Sequence, residues 1–99
     1  MANSSSETIK SRIITPVIGG SVWFFVDNAS LPDGWLIYRG EPMAATIVAV
    51  WDIRNVNLLV MDHGGNSHAV RNVHLSQPGD ALYEGFRAEW PNHLLGDGA

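Results

Sequence analysis

The stretch 43–75, MAATIVAVWDIRNVNLLVMDHGGNSHAVRNVHL, decides the fold, because it reads as three consecutive antiparallel strands joined by two tight turns. Successive strand side chains point to opposite faces, so residues at alternate positions share one. Ile47, Ala49 and Trp51 fall on one face of the first strand, and Thr46, Val48 and Val50 on the other. Neither face is polar, which predicts a strand covered on both sides. After the turn Asp52-Ile53-Arg54-Asn55, Val56, Leu58 and Val60 share one face while Asn57, Leu59 and Met61 share the other, and this middle strand is also expected to be hidden on either side. Enrichment in Val, Ile and Trp favours strand over helix. His63-Gly64-Gly65-Asn66-Ser67 then supplies the positive φ that a tight hairpin turn demands. With Gly65-Asn66 as the turn pair, His63 faces His68, Met61 faces Val70, Leu58 faces Val73 and Val56 faces Leu75. With Gly64-Gly65, His63 faces Asn66 and Val60 faces Ala69. A Gly-first type II′ turn favours the first register, and apolar matching fits both.

The flanking sequence reads as cover for this ribbon. Residues 1–8 (MANSSSET) are small and polar, with nothing to bury, and are expected to be disordered unless a neighbouring subunit captures them. Residues 9–19 hold Ile13, Ile14, Val17 and Ile18 around Pro16, which biases Thr15 to extended geometry, so an extended arm or short strand is expected. The run 21–27 (SVWFFVD) reads as the first strand of a barrel domain spanning 20–91, its continuous apolarity predicting burial on both faces. The connection 27–43 contains the turn Pro32-Asp33-Gly34, and its Trp35-Leu36-Ile37-Tyr38 reads as a further extended piece folding back over that strand. Beyond the meander, Pro78-Gly79 breaks the sheet and residues 81–84 suggest one helical turn. In 86–90, Phe86, Ala88 and Trp90 face inward and Arg87 and Glu89 face water, before Pro91 and a patternless tail, 92–99.

Composition bounds the function. Ninety-nine residues fit one domain with one small core, and 45% are hydrophobic, four of them Trp. The formal charge is −4, and the six Lys and Arg are scattered, so no basic stripe follows a phosphate backbone and nucleic acid is disfavoured. The absence of cysteine excludes disulfides and thiolate metal sites. No apolar run approaches the ~20 residues of a spanning helix, and the N-terminus lacks an export pattern, so no membrane association is expected.

The order of these features resembles a group of short, largely uncharacterised bacteriophage proteins. In that group an AAIVT-like strand, here Ala45-Thr46-Ile47-Val48, precedes a VxLxV strand, here beginning Val56-Asn57-Leu58, and an EWP-like motif, here Glu89-Trp90-Pro91, closes the domain. The match covers residues 20–91; where the group keeps an Asn-Pro-Gly turn, this chain has Asp62-His63-Gly64-Gly65. The resemblance implies a phage setting and an all-β fold, a small five-stranded antiparallel SH3-like barrel with an N-terminal extended arm. It implies no activity.

Several side chains have the chemistry of a site, and each also has a simpler role. His63, His68 and His74 with Asp62 have metal-ligating side chains, but zinc needs three or four ligands converging on one point. His74 lies six residues beyond His68 on the same strand, about 20 Å away at ~3.3 Å per residue, so a complete site in one chain fails on geometry. His63 with Asp62 has the residue types of a general base, yet no paired nucleophile. Arg71, mid-strand, wants a carboxylate or an anion and otherwise marks an exposed sheet face; Arg39 and Arg54 are alternatives. Trp23, Trp35, Trp51 and Trp90 are ordinarily core residues or barrel lids. Four in so small a chain exceed what the core hides, which predicts at least one exposed or covered by another subunit. The expected function is therefore a non-catalytic binding or assembly module. It acts as a homo-oligomer capturing a host protein or a small anionic ligand through Arg71, Trp35, Tyr38, Arg39, His63 and His68, with no cofactor, metal or catalytic residue. The alternatives are a virion protein, capsid-decorating or tail-associated, and a metal-dependent hydrolase; the expected location is the host cytoplasm or the virion.

Overall fold

The computed structural model describes residues 13–26 and 32–91. The polar N-terminus, the first part of the arm, residues 27–31 and the tail 92–99 lie outside them. Five strands close into an all-β barrel, consistent with a small SH3-like barrel: β1 (Ser21–Phe25), β2 (Met43–Asp52), β3 (Asn55–Met61), β4 (Ser67–Ser76) and β5 (Arg87–Glu89). Residues 43–75 form the expected up-down-up ribbon. Neighbouring strands are antiparallel except β4 and β5, which run parallel through His74↔Arg87, Leu75↔Ala88 and Ser76↔Glu89. The wholly antiparallel barrel expected from the sequence is thus a mixed one, and parity is the reason. An all-antiparallel ring must alternate direction around its circumference, which five strands cannot do. The connection between Ser76 and Arg87 makes the crossover that a parallel pair needs, returning the chain to the level of His74.

One face of each strand builds the core. Phe24, Met43, Ile47, Val56, Leu58, Val60, Leu75 and Ala88 are almost fully shielded, with Trp90 beside them. The expectation that β1, β2 and β3 are covered on both sides is not met; β1 alternates exposed Ser21 and Trp23 with buried Val22 and Phe24. β3 alternates buried Val56, Leu58 and Val60 with more exposed Asn57, Leu59 and Met61, so its second face is open. On β2, Ile47 pairs with Leu58 but Ala49 pairs with Asn57, leaving Val48 as an extra residue. This bulge, and another before Asp52, break the period of two. Ile47 and Trp51 therefore do not share a face: Ile47 is 0% exposed and Trp51 61%.

The β3–β4 hairpin follows neither expected register throughout. The Gly65 amide donates to the Asp62 carbonyl (3.0 Å), Gly65 has φ +90°, and the Asp62 amide donates to the Asn66 carbonyl (2.9 Å). This is a three-residue connection with a left-handed glycine at its third position. Val60 consequently pairs with His68 rather than Ala69, whereas at the base Val56 pairs with Val73, as a Gly64-Gly65 turn requires. A bulge at Arg71-Asn72, with Asn72 at φ +54°, absorbs the one-residue difference.

The remaining chain wraps the barrel. Residues 35–38 form no strand; they dock on the hairpin tip, where the His63 amide donates to the Leu36 carbonyl (2.9 Å). Their contact with β1 is the Trp35 ring on Phe24, 6.1 Å between centroids. Residues 81–84 form no helical turn. A single turn fixes several dihedrals for one hydrogen bond, and here Tyr83 instead stacks on His74 at 4.0 Å. The end of the arm packs on its own barrel, the Gly19 amide donating to the Ile47 carbonyl (2.8 Å) and the Ile47 amide to the Gly20 carbonyl (2.9 Å). β5 orients as its alternation predicts, with Ala88 and Trp90 buried and Phe86 against the core. Arg87 pairs with Glu89 at 2.7 Å and lies over the Phe25 ring.

Candidate functional site

Asp62 follows β3 and begins the hairpin turn, and its buried carboxylate organises the tip. Oδ1 accepts from the amides of Gly64 (2.8 Å) and Asn66 (3.1 Å); Oδ2 accepts from the Leu36 amide (3.3 Å) and from His68 Nε2 (2.7 Å). The bond from His68, then those from the amides of Asn66, Leu36 and Gly64, hold this carboxyl well below the usual carboxylate range, although burial opposes them. An ionised carboxylate only accepts, so His68 carries its proton on Nε2. Its ring lies flat against Trp35, with centroids 4.0 Å apart and planes at 12°.

His63 is held differently. The Tyr38 amide donates to Nδ1 (2.8 Å), so Nε2 carries the proton and donates to the Pro42 carbonyl (3.0 Å). Its ring also stacks on Tyr38, 5.0 Å between centroids. With both nitrogens engaged, His63 offers no lone pair to a metal or a substrate proton. The two imidazoles do not face one another, because His68 pairs with Val60 while His63 lies in the connection. Among the described residues, no group of three or more His, Asp or Glu side chains is arranged to hold a metal ion.

Of the six residues singled out from the sequence, Trp35, Tyr38, His63 and His68 come together at this tip. The arginines do not join them. Arg39 lies in the exposed turn closed by the bond from the Glu41 amide to the Tyr38 carbonyl (3.0 Å). Arg71 is three residues from His68 on β4 and points the other way: His68 and Val70 are half-buried, while Ala69 and Arg71 stand exposed on the outer face. The charge at the centre of the aromatic cluster is a carboxylate, not a cation. The other arginine weighed, Arg54, is committed to Asp80 through Nε (2.9 Å) and Nη2 (2.7 Å). Arg54 foremost, with the Gln77 amide, holds the Asp80 carboxyl down at about 2.

A second feature lies on the outer face of β1, β2 and β3. Trp23 pairs with Ala44, and Thr46 with Leu59, so small residues alternate with large ones across the strands. Trp23 (37% exposed), Leu59 (45%) and Met61 (44%) line a groove of about 410 Å3 together with Ser21, Ala44, Thr46 and Pro91. Among the described residues, no charged side chain lines it. Trp51 continues the apolar surface along the ribbon, its Nε1 donating to Asn57 Oδ1 (3.0 Å), which also accepts from the Asn72 amide (2.8 Å).

Gln77 is a structural residue that sequence reasoning missed. Its Oε1 accepts from the Ile14 amide (2.9 Å) and Trp90 Nε1 (3.3 Å), and its Nε2 donates to the carbonyls of Ile14 (3.0 Å) and Ile53 (2.7 Å). One amide thereby fastens arm, turn and closing strand. Its partners are remote in sequence, so no local pattern announces it. The Asp62 turn had such a signal, since Asp followed two residues later by Gly is the composition of an Asx turn. Comparison of the chain with protein families, with curated proteins and with solved structures finds no match.

Proposed function

We propose that this chain is a non-catalytic binding or assembly module whose docking surface is the outer face of β1, β2 and β3. The observation that carries this reading is the groove between Trp23, Leu59 and Met61, which carries no charge among its described lining residues. Large apolar side chains standing together on one sheet face, with Trp among them, are the composition of a protein-binding patch. Capture of a small anion has less support, because Arg71 and the Trp35–His68 stack occupy opposite faces of β4 and the cluster is centred on Asp62. The phage setting, whether host-directed or virion-borne, rests on the resemblance of the strand order and the Glu89-Trp90-Pro91 closure.

Native mass spectrometry of the protein isolated from the cells or particles that naturally contain it tests this reading. The expected result is a complex, with further copies or a foreign chain, that Leu59→Lys abolishes while the circular dichroism spectrum is unchanged. A partner-free monomer, or a complex indifferent to Leu59→Lys, overturns it.

A further inference from the structure

We infer, independently of the docking face, that residues 38–42 form a strap held on the hairpin tip by the neutral imidazole of His63, and that proton uptake by this imidazole releases the strap. The polarity of two bonds carries the inference. A backbone amide only donates and a backbone carbonyl only accepts. The Tyr38 amide on Nδ1 (2.8 Å) and the Pro42 carbonyl on Nε2 (3.0 Å) therefore admit one state of the ring, the neutral Nε2–H tautomer. An imidazolium has N–H groups on both nitrogens. Its Nδ1–H would meet the Tyr38 N–H donor against donor, so the proton enters only as the strap leaves.

The strap is built to move as a unit. The bond from the Glu41 amide to the Tyr38 carbonyl (3.0 Å) closes residues 38–41 into a turn, and all four are exposed. Both ends are anchored without help from the imidazole. On one side the Leu36 carbonyl accepts from the His63 amide (2.9 Å) and the Leu36 amide donates to Asp62 Oδ2 (3.3 Å); on the other, Met43 is buried in the core. Between these anchors the His63 ring holds the strap, by its two bonds and by its stack on Tyr38.

The neighbouring histidine answers acid in the opposite way. His68 Nε2 donates to Asp62 Oδ2 (2.7 Å), a bond that an imidazolium keeps and strengthens. Among the described residues, the other ionisable groups about His63 are Asp62 beside it in the chain, Tyr38 against its ring, and Arg39 and Glu41 in the strap. The Asp62 carboxylate is already engaged by His68 and three amides. These charges tune the pH at which the proton enters, but none alters the polarity of the Tyr38 bond. The released form holds one proton more than the latched form, so the latch is strongest at high pH and weakens as pH falls. Imidazole changes charge between about pH 5 and about pH 8, which sets the window.

Nitrogen-15 NMR of the full chain from about pH 8 to about pH 5 reads the latch. At the upper end His63 is expected as the Nε2–H tautomer. As that ring takes up its proton, the Tyr38 amide should lose protection from exchange, relative to its intrinsic rate at each pH, by up to about tenfold per pH unit. The Leu36 and Gly64 amides, which donate to Asp62, keep theirs. In His63→Gln the side-chain oxygen accepts and the nitrogen donates without titrating, so protection at Tyr38 is expected to be independent of pH. Tyr38 protection that holds down to about pH 5 in the wild type, a loss that does not coincide with the His63 titration, or a response that persists in His63→Gln overturns the inference. The coincidence of the two wild-type curves is read without a variant, which keeps the inference testable if His63→Gln misfolds.

Discussion

Gly65 holds φ at +90°, a conformation that an L side chain adopts only under strain. Gly65→Val is expected to destabilise the fold by about 1 kcal/mol or more, read as a lower urea midpoint with an unchanged slope. Its neighbour Gly64 is limited by space, since a Cβ there would sit 3.1 Å from the Leu36 side chain and 3.3 Å from Asp62 Oδ1. The glycine pair was legible in the sequence as a turn. Its geometry was not, because the Asp62 carboxylate that caps the amides draws on Leu36 and His68 as well. Asp62 and Asp80 are both held below the ~3.9 of an unfolded Asp. Lowered folded-state values mean that their stabilisation is present above about pH 4; that of Asp80 is lost as pH falls through about 2, and that of Asp62 at still lower pH. The urea midpoint should therefore drop on acidification over that window, and Asp80→Asn should flatten part of the drop.

At the scale of elements, β3 is the strand on which the ribbon depends. Leu58 is completely buried at its centre, and Leu58→Ala should cost about 2–5 kcal/mol, measured by chemical denaturation. The inward phase of Val56, Leu58 and Val60 was legible because no bulge interrupts β3 itself. The phase of β2 was not, since the bulges at Val48 and before Asp52 arise from pairing with β3, and nothing in MAATIVAVWD marks them. The arm depends on Gln77 in the same nonlocal way. Gln77→Ala leaves the Ile14 amide and carbonyl, the Ile53 carbonyl and Trp90 Nε1 without their partner, an expected loss of about 2–3 kcal/mol. Hydrogen exchange would locate it, with the Ile14 amide losing protection before the amides of β3. Equal loss at both sites would mean that the clamp belongs to the global fold and not to the arm.

Across the whole molecule, closure removes most sheet edges, while the outer face of β1, β2 and β3 keeps its apolar side chains in water. If a partner covers that face, association must stabilise the native state by mass action. The wild-type melting temperature should then rise with the partner's concentration, and that of Leu59→Lys should not. The six candidate ligand residues divide on the same large scale. Four converge on the hairpin tip because residues 35–38 cross it; Arg71 falls elsewhere because its odd spacing from His68 puts it on the other face of β4, and Arg39 because it sits in an exposed turn. What the linear chain settled is whatever rests on neighbours within a few residues: strand content, the inward set of β3, the turn glycines and the alternation in β5. Register at the hairpin tip, the parallel β4–β5 pair, the Gln77 clamp and the single-sided burial of β2 were set by contacts between elements, from Val60↔His68 across the hairpin to the Gln77–Ile14 bonds, whose partners stand 63 residues apart. Such contacts are chosen by the requirement that five strands close around one core, and no local periodicity encodes that requirement.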